Sequence, residues 1–438
     1  MTVIDLGEVT HDDAAPAIPL DHRRLLRALL AVLTIVGVPA VAGSAHGTPA
    51  SLRPLWTTPF VENAAVALDA RSAYLSRLED GQPRLVAYDL ATGGERWTAA
   101  VGDAPSDFPA RPAGDTVLVP TDQATITRAD EDGGQYFYVT PRSTVALDAD
   151  TGDQLWSTDG DAQPLSASGA AIVAEHDDQN QIIGLRLVKL HDGAPLWSLS
   201  VPPLADWTPL PGWQHPEAIA TLGLDGTARV YGFADGKVRQ TGRLPSDGIR
   251  RPRGSVSVVP AGQNFAVIRT AVENDSVTTV YSAATLRPLW QTGYAGPCGD
   301  LFCSTGSEGV SGHDPSTGRV VWAVPGMFDG WPVGDDRMLA GDRGNTRLQL
   351  LDSRTGKFVG GPFTGLVASG SETTGSLLVT RPSARPLGEL VVTRVDLADG
   401  RQTPLGRFGP SGEQTFCFTS PGYVACPRYD GLHIMAAG

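Results

Sequence analysis

The sequence of 438 residues has only four cysteines, and no Cys-x-x-Cys or Cys-x-x-Cys-His run among them. That absence removes covalent haem and argues against a thiolate metal site. Its histidines, His11, His22, His46, His176, His191, His215, His313 and His433, are scattered, and none is paired at ligand spacing. A Gly-x-Ser-x-Gly elbow, a phosphate-binding glycine loop and a His-Glu-x-x-His helix are all missing, so the usual sequence grounds for hydrolase, nucleotide and zinc-protease chemistry are missing too. Excess positive charge is also lacking. Lys and Arg number 34 against 48 acids, a net charge of −14. A surface this acidic repels phosphate backbones, and no nucleic-acid partner is expected.

Long apolar runs are absent with one exception. Residues 28–45 carry no charge. Counted from Leu25, the segment would be about 31 Å long as a helix, enough to cross a bilayer core. Arg23, Arg24 and Arg27 lie on its N-terminal side, which by the positive-inside rule puts residues 1–24 in the cytoplasm and the rest outside. Two readings stand: a retained signal anchor, or a signal peptide cut after Ala42 or Ala45. The long leader with Asp5, Glu8, Asp12, Asp13 and Asp21 favours the anchor. The expected organisation is a cytoplasmic disordered tail (1–24), a transmembrane anchor (25–45), a linker (46–51) and one extracytoplasmic domain (52–438).

What the sequence does contain is a repeat. AYDLATGGERW (87–97) returns as ALDADTGDQLW (146–156) and as GHDPSTGRVVW (312–322). Asp89, Thr92, Gly93 and Trp97 thus match Asp148, Thr151, Gly152 and Trp156, and then Asp314, Thr317, Gly318 and Trp322. Degraded copies keep Gly193 and Trp197, Gly236, Trp290, and Asp352 with Gly356; Asp396 and Gly400 mark another. The Trp position is held by Gln240 in one copy, and Leu286 holds a Gly position in the next. Each copy reads as two strands around a tight turn, with glycine supplying a positive φ and Asp and Thr capping local amides. Trp positions recur every 32 to 59 residues, the length of a unit of about four short strands. Fifty-one glycines and 34 prolines agree with an all-β, turn-rich chain.

The expected fold is therefore a β-propeller of four-stranded blades. A strict count gives nine; eight is favoured, with the weak unit at 205–243 suspected of not being a full blade. The segment LRPLW at 52–56, which contains Trp56, repeats as LRPLW at 286–290. The chain after the linker thus begins with a last strand and ends with three strands, 415–418, 423–426 and 432–435, that lack a fourth. Pairing them, with the N-terminal strand outermost, closes the ring and hides open edges.

The cysteines flank two short turns. Cys298 with Cys303 and Cys417 with Cys426 are expected as disulfides, since the count is even, the pairing local and the compartment oxidising. The Trp of each repeat has two readings: a ligand platform, or a wedge between sheets. Matched positions around a ring favour the wedge. Asp130-Glu131-Asp132-Gly133-Gly134 lacks calcium-loop spacing, so the insertion at 122–135 reads as a flexible loop, and 176–178 as a solvated hairpin tip.

The Asp-x-x-Thr-Gly-x-x-x-Trp pattern resembles the repeat of the pyrroloquinoline quinone (PQQ) family of β-propellers, over nearly all of the chain after residue 50. The resemblance implies that each Trp docks on the neighbouring blade and is held by the turn residues. Non-enzymatic members include the propeller lipoprotein of the outer-membrane β-barrel assembly machine, and membrane-anchored actinobacterial proteins look similar. The quinone enzymes add adjacent cysteines, a metal site of Glu, Asn and Asp, and a catalytic Asp; this sequence has no Cys-Cys pair and no match for the rest. No cofactor, metal or catalytic residue is expected. The function that follows is a membrane-tethered scaffold for a cell-envelope protein, with a quinone-dependent dehydrogenase or an extracytoplasmic ligand sensor as the alternatives.

Overall fold

The computed structural model describes residues 52–60, 64–102, 109–129, 135–165, 168–245, 255–270, 276–370, 375–385, 387–409 and 416–437. The tail, the anchor segment and the linker lie outside the described residues. Among the described residues all regular structure is β, and no helix is long and apolar enough to cross a membrane.

The strands form seven four-stranded antiparallel sheets, one seven-stranded sheet and one two-stranded ribbon. In chain order the four-stranded sheets span 66–100, 111–159, 255–292, 295–324, 329–363 and 366–408, each with its strands in sequence order apart from the ribbon inserted in the second. The middle strands are apolar on both faces. In the first sheet Tyr74, Leu85 and Ala87 face one way, Leu75, Val86 and Tyr88 the other, and all six are buried. A strand is buried on both faces only when its sheet lies between two others. Accordingly, nine apolar clusters occur among the described residues, and each joins one four-stranded set to the next.

The seventh four-stranded sheet is the one made from both ends. Leu52–Thr58 lies outermost, followed by Gly431–Ala437, Tyr423–Arg428 and Phe418–Ser420. Leu52 faces Ala437, Trp56 faces Ile434 and Thr58 faces Leu432. The N-terminal strand is therefore paired as expected. One face of this sheet packs Val424 and Met435 against Leu378 and Val392 of the preceding sheet. Its other face packs Leu432 and Ile434 against Leu75 and Val86 of the first.

Two expectations change. The weak unit at 205–243 is a full set of strands. Pro195–Leu210 is one uninterrupted strand, whose first half ends one four-stranded set and whose second half begins the next with Ala218–Gly223, Thr227–Gly232 and Val238–Arg243. The register shift between Leu204 and Asp206 marks the change of sheet. The insertion after Thr121, read as a flexible loop, forms a hairpin of Ala124–Ala129 with Gln135–Thr140. Its alternating Thr and Ile or Val residues are strand formers; the acidic run 130–134 lies outside the described residues.

Candidate functional site

The repeat residues converge on the contacts between sheets. In each repeat the backbone is bulged one residue before the Trp, as where Ala146 faces Trp156 but Leu147 faces Gln154. A bulge re-aims the following side chain, and here it turns the indole toward the next sheet. The Nε1–H of Trp97 donates to the carbonyl of Ala149 at 3.0 Å. The same bond links Trp56 to Leu90, Trp156 to Leu190, Trp197 to Phe233, Trp290 to Pro315 and Trp322 to Ser353. In every case the acceptor follows the Asp position of the next turn. Trp97, Trp197 and Trp322 are buried and the others half-buried. The indoles are wedges, as the repeat implied.

Each indole lies on the turn glycine. A Cβ on Gly152, whose φ is +76°, would come within 2.6 Å of the Trp97 ring. Trp56 lies over Gly93, Trp156 over Gly193, Trp197 over Gly236, Trp290 over Gly318 and Trp322 over Gly356 in the same way. Glycine is needed twice over, for the positive φ and for the space. Where Gln240 replaces Trp, the next turn has Leu286 in place of glycine, at φ 56°. With no indole above it, that turn carries a side chain, and Leu286 packs over Gly242 instead.

The aspartates hold the turns. Asp89 Oδ1 accepts from the amide and hydroxyl of Thr92, each at 2.8 Å. Asp314 accepts from the amides and hydroxyls of Ser316 and Thr317, and this lowers its pKa to about 2. Similar bonds lower Asp148, through Thr151 and Asp150. Asp352 is also held low, with burial opposing the bonds from Thr355. Where Lys189 or Gly232 occupies the Asp position, Asp192 and Asp235 cap the turn instead, accepting from the amides of Ala194 and Lys237. Sequence alignment on the first position alone misses this exchange.

Cys298 is bonded to Cys303 and Cys417 to Cys426, with Cα separations of 5.7 and 4.4 Å. Both pairs are buried in clusters that join neighbouring sheets. Among the described residues there is no group of three His, Cys, Asp or Glu side chains arranged to hold a metal ion. His313 is stacked on Trp290 and bonded to Ser304 at 2.8 Å. The 176–178 tip is less solvated than expected: the His176 ring is half-buried, and burial lowers its pKa. Asp177 caps the hairpin through the amides of Gln179 and Gln181.

The two ends of the sheets differ. Antiparallel connectivity places the Asp-Thr-Gly turns and the first-to-second-strand turns at one end, and the remaining connections at the other. The turn end is lined by Asp, Thr and Gly, with Trp213 exposed in the 211–217 connection and Leu196, Val238, Leu289, Val320, Val321 and Phe358 exposed on the outer strands just after the turns. The opposite end exposes Leu78, Phe137, Ile183, Val277, Tyr294, Leu366, Leu387, Phe416 and Tyr429. Most of these fall on consecutive sheets, running from Leu366 and Leu387 through Phe416 and Tyr429 to Leu78, Phe137 and Ile183. The same end contains a polar cleft of about 540 Å³ lined by Thr121, Asp122, Ser143, Ser157, Asp159 and Arg186, among others. Arg186 is fixed there by Glu175 at 2.5 Å and by the Thr158 hydroxyl at 2.7 Å. The sequence reading gave no signal for this end, because its residues sit in connections that do not repeat.

A family model described as outer membrane protein assembly factor BamB matches residues 48–203 and 82–360. No curated protein matches the chain. Among solved structures, the chain is similar to BamB from Moraxella catarrhalis at 15% identity, covering 82% of this chain and 96% of that one with a TM-score of 0.36. It is similar to the C-terminal WD40 domain of Sif2 at 11% identity, covering 89% and 99% with a TM-score of 0.41. A europium-containing methanol dehydrogenase is similar at 11% identity, covering 65% and 72% with a TM-score of 0.36.

Proposed function

The chain belongs to the family of the outer membrane protein assembly factor BamB, and on that premise we propose that it is a non-catalytic scaffold that binds another protein of the cell envelope. The observation that carries this reading is the difference between the two ends of the sheets. At one end the connections are mostly polar turns; at the other the connections themselves expose large apolar side chains from successive sheets. Apolar groups exposed in a row are the mark of a surface that is covered in use. The family's name ties it to assembly work, which fits a protein-binding surface better than a pocket for a small substrate.

The scaffold is a closed propeller of nine blades, the number of the strict repeat count, where eight was favoured because propellers usually have no more. Supporting this are the seven-stranded sheet, which divides into two four-stranded sets sharing Pro195–Leu210, and the unbroken cycle of clusters between neighbours. The propeller is held outside the cytoplasm by the apolar segment 25–45. Two disulfides agree with that oxidising address.

The test is site-specific photo-crosslinking in intact cells, with the probe at Leu387 or Tyr429 on the apolar end and at Asp150 or Thr317 on the turn end. A discrete crosslinked band is expected from the first two positions, lost from Leu387 with Tyr429→Glu and from Tyr429 with Leu387→Glu. Equal crosslinking from both ends would end the proposal.

A further inference from the structure

Arg77 and Arg84 stand directly opposite each other on neighbouring antiparallel strands of the 66–100 sheet, near the end away from the Asp-Thr-Gly turns. Directly opposed residues have Cβ atoms about 5 Å apart, and like charges there destabilise the pair. The Nε atoms of both are shielded from solvent without a hydrogen-bond partner. Three half-buried arginines elsewhere have carboxylates: Arg96 has Asp150, Arg111 has Asp161 and Arg337 has Asp336. Among the described residues Arg77 and Arg84 have none.

The surroundings are specific. Alternation along the strands puts both arginines on the face that carries Leu75, Val86 and Tyr88, which packs against Ala425, Leu432 and Ile434. The pair thus sits in the seam between the first sheet and the sheet built from the two chain ends. The Arg77 guanidinium lies 5.3 Å from the Tyr88 ring centroid, and Tyr88 is itself 5.5 Å from Trp56. The aromatic contact fixes the direction of Arg77 and leaves its buried Nε donor unused. Beside Arg84 on the outer strand is Ala100, an exposed methyl that leaves the pair open from outside.

We propose that Arg77 and Arg84 form a binding site for a single phosphoryl group. A carboxylate would neutralise one of two guanidinium groups. A phosphate monoester carries nearly two negative charges and presents three oxygens, so it satisfies two forks together. It removes the like-charge repulsion and supplies acceptors for the buried donors. The net charge of −14 on the chain repels polyanions, so the site takes an isolated phosphoryl group and not a nucleic-acid backbone. The group can come from a soluble phosphate ester or from a phospholipid head.

The experiment is isothermal titration calorimetry on the full chain in detergent, at constant ionic strength, with inorganic phosphate, glycerol 3-phosphate, dihexanoyl phosphatidic acid and citrate. Saturable binding of the phosphate compounds is expected, weakened at least tenfold by Arg77→Gln and by Arg84→Gln, and less by Arg84→Lys, which keeps the charge and loses the fork. Tighter binding of the short-chain phosphatidic acid than of glycerol 3-phosphate assigns the lipid source; equal binding assigns the soluble one. If Arg77→Gln does not fold, the two Arg84 variants decide the matter. The proposal is overturned by an absence of saturable phosphate binding, by affinities unchanged in the folded glutamine variants, or by citrate binding as well as phosphate.

Discussion

The indole of Trp322 lies on Gly356 and donates its Nε1–H to the carbonyl of Ser353 at 2.9 Å, three residues before that glycine. One side chain thus buries its ring and satisfies a turn carbonyl of the adjacent sheet. The pairing recurs wherever a Trp and a turn glycine face each other between successive sheets.

Removing the ring leaves a cavity and an unpaired carbonyl. Trp97→Ala is expected to cost about 3–5 kcal/mol in equilibrium denaturation. Gly152→Ala strikes the same contact from the other side, since its Cβ collides with the Trp97 ring at a positive φ. It should lower stability by about 1–3 kcal/mol. The two losses should fall well short of additive in the double variant, because both break one contact.

The Gln240 and Leu286 pair offers a converse test. Gln240→Trp alone should destabilise, because Leu286 occupies the place of the turn glycine. Gln240→Trp combined with Leu286→Gly should recover stability to above either single change. A double-mutant cycle by chemical denaturation measures the coupling.

Asp314 has its pKa lowered to about 2 by the hydroxyls and amides of Ser316 and Thr317. Its ordinary value is 3.8, so its contribution is complete above that and is lost as pH falls from 3.8 toward 2. Asp314→Ala should therefore flatten the fall in thermal midpoint between pH 4 and 2 and leave the shape of the curve above pH 5 unchanged.

Asp206 behaves in the opposite sense. Burial raises its pKa to about 6, against the bonds from the Val258 and Trp207 amides that lower it. The folded state holds this proton where the unfolded state has released it, so stability falls as pH rises from 3.8 through about 6 and stays lower above. Asp206→Asn should remove that slope, raising stability at pH 7.5 by up to about 3 kcal/mol while leaving pH 4 little changed. Thermal melts at the two pH values read it directly.

The Cys417–Cys426 bond lies in the sheet where the chain ends meet. Replacing both cysteines with alanine should cost about 2–3 kcal/mol. Reductant should lower the thermal midpoint of the parent protein more than that of the double variant, in which only Cys298–Cys303 remains to be reduced.

The sequence was most informative where physics repeats. The Asp-Thr-Gly turns, the wedge role of Trp97 and Trp322, and the outer position of Leu52–Thr58 all follow from residues at fixed offsets. The unit at 205–243 was obscured because its signals are displaced: Gln240 takes the Trp position, Asp235 does the work of the first Asp, and a continuous strand replaces the linker that would have marked its start. The hairpin at 124–140 was hidden because its pairing is local and unrelated to the repeat. Neither the apolar end nor the Arg77 and Arg84 pair could be read in advance. Both depend on which connections lie side by side and which charges lack a partner, and those are properties of assembled sheets.

The strand Pro195–Leu210 has a mechanical consequence. Two neighbouring sheets share one backbone segment with no linker between them, so neither can open while its neighbour stays intact. Amide protons on both sides of Leu204 should exchange with solvent in a common cooperative event, and a protease should find its first cut elsewhere, in the connections where one sheet hands over to the next through an exposed loop.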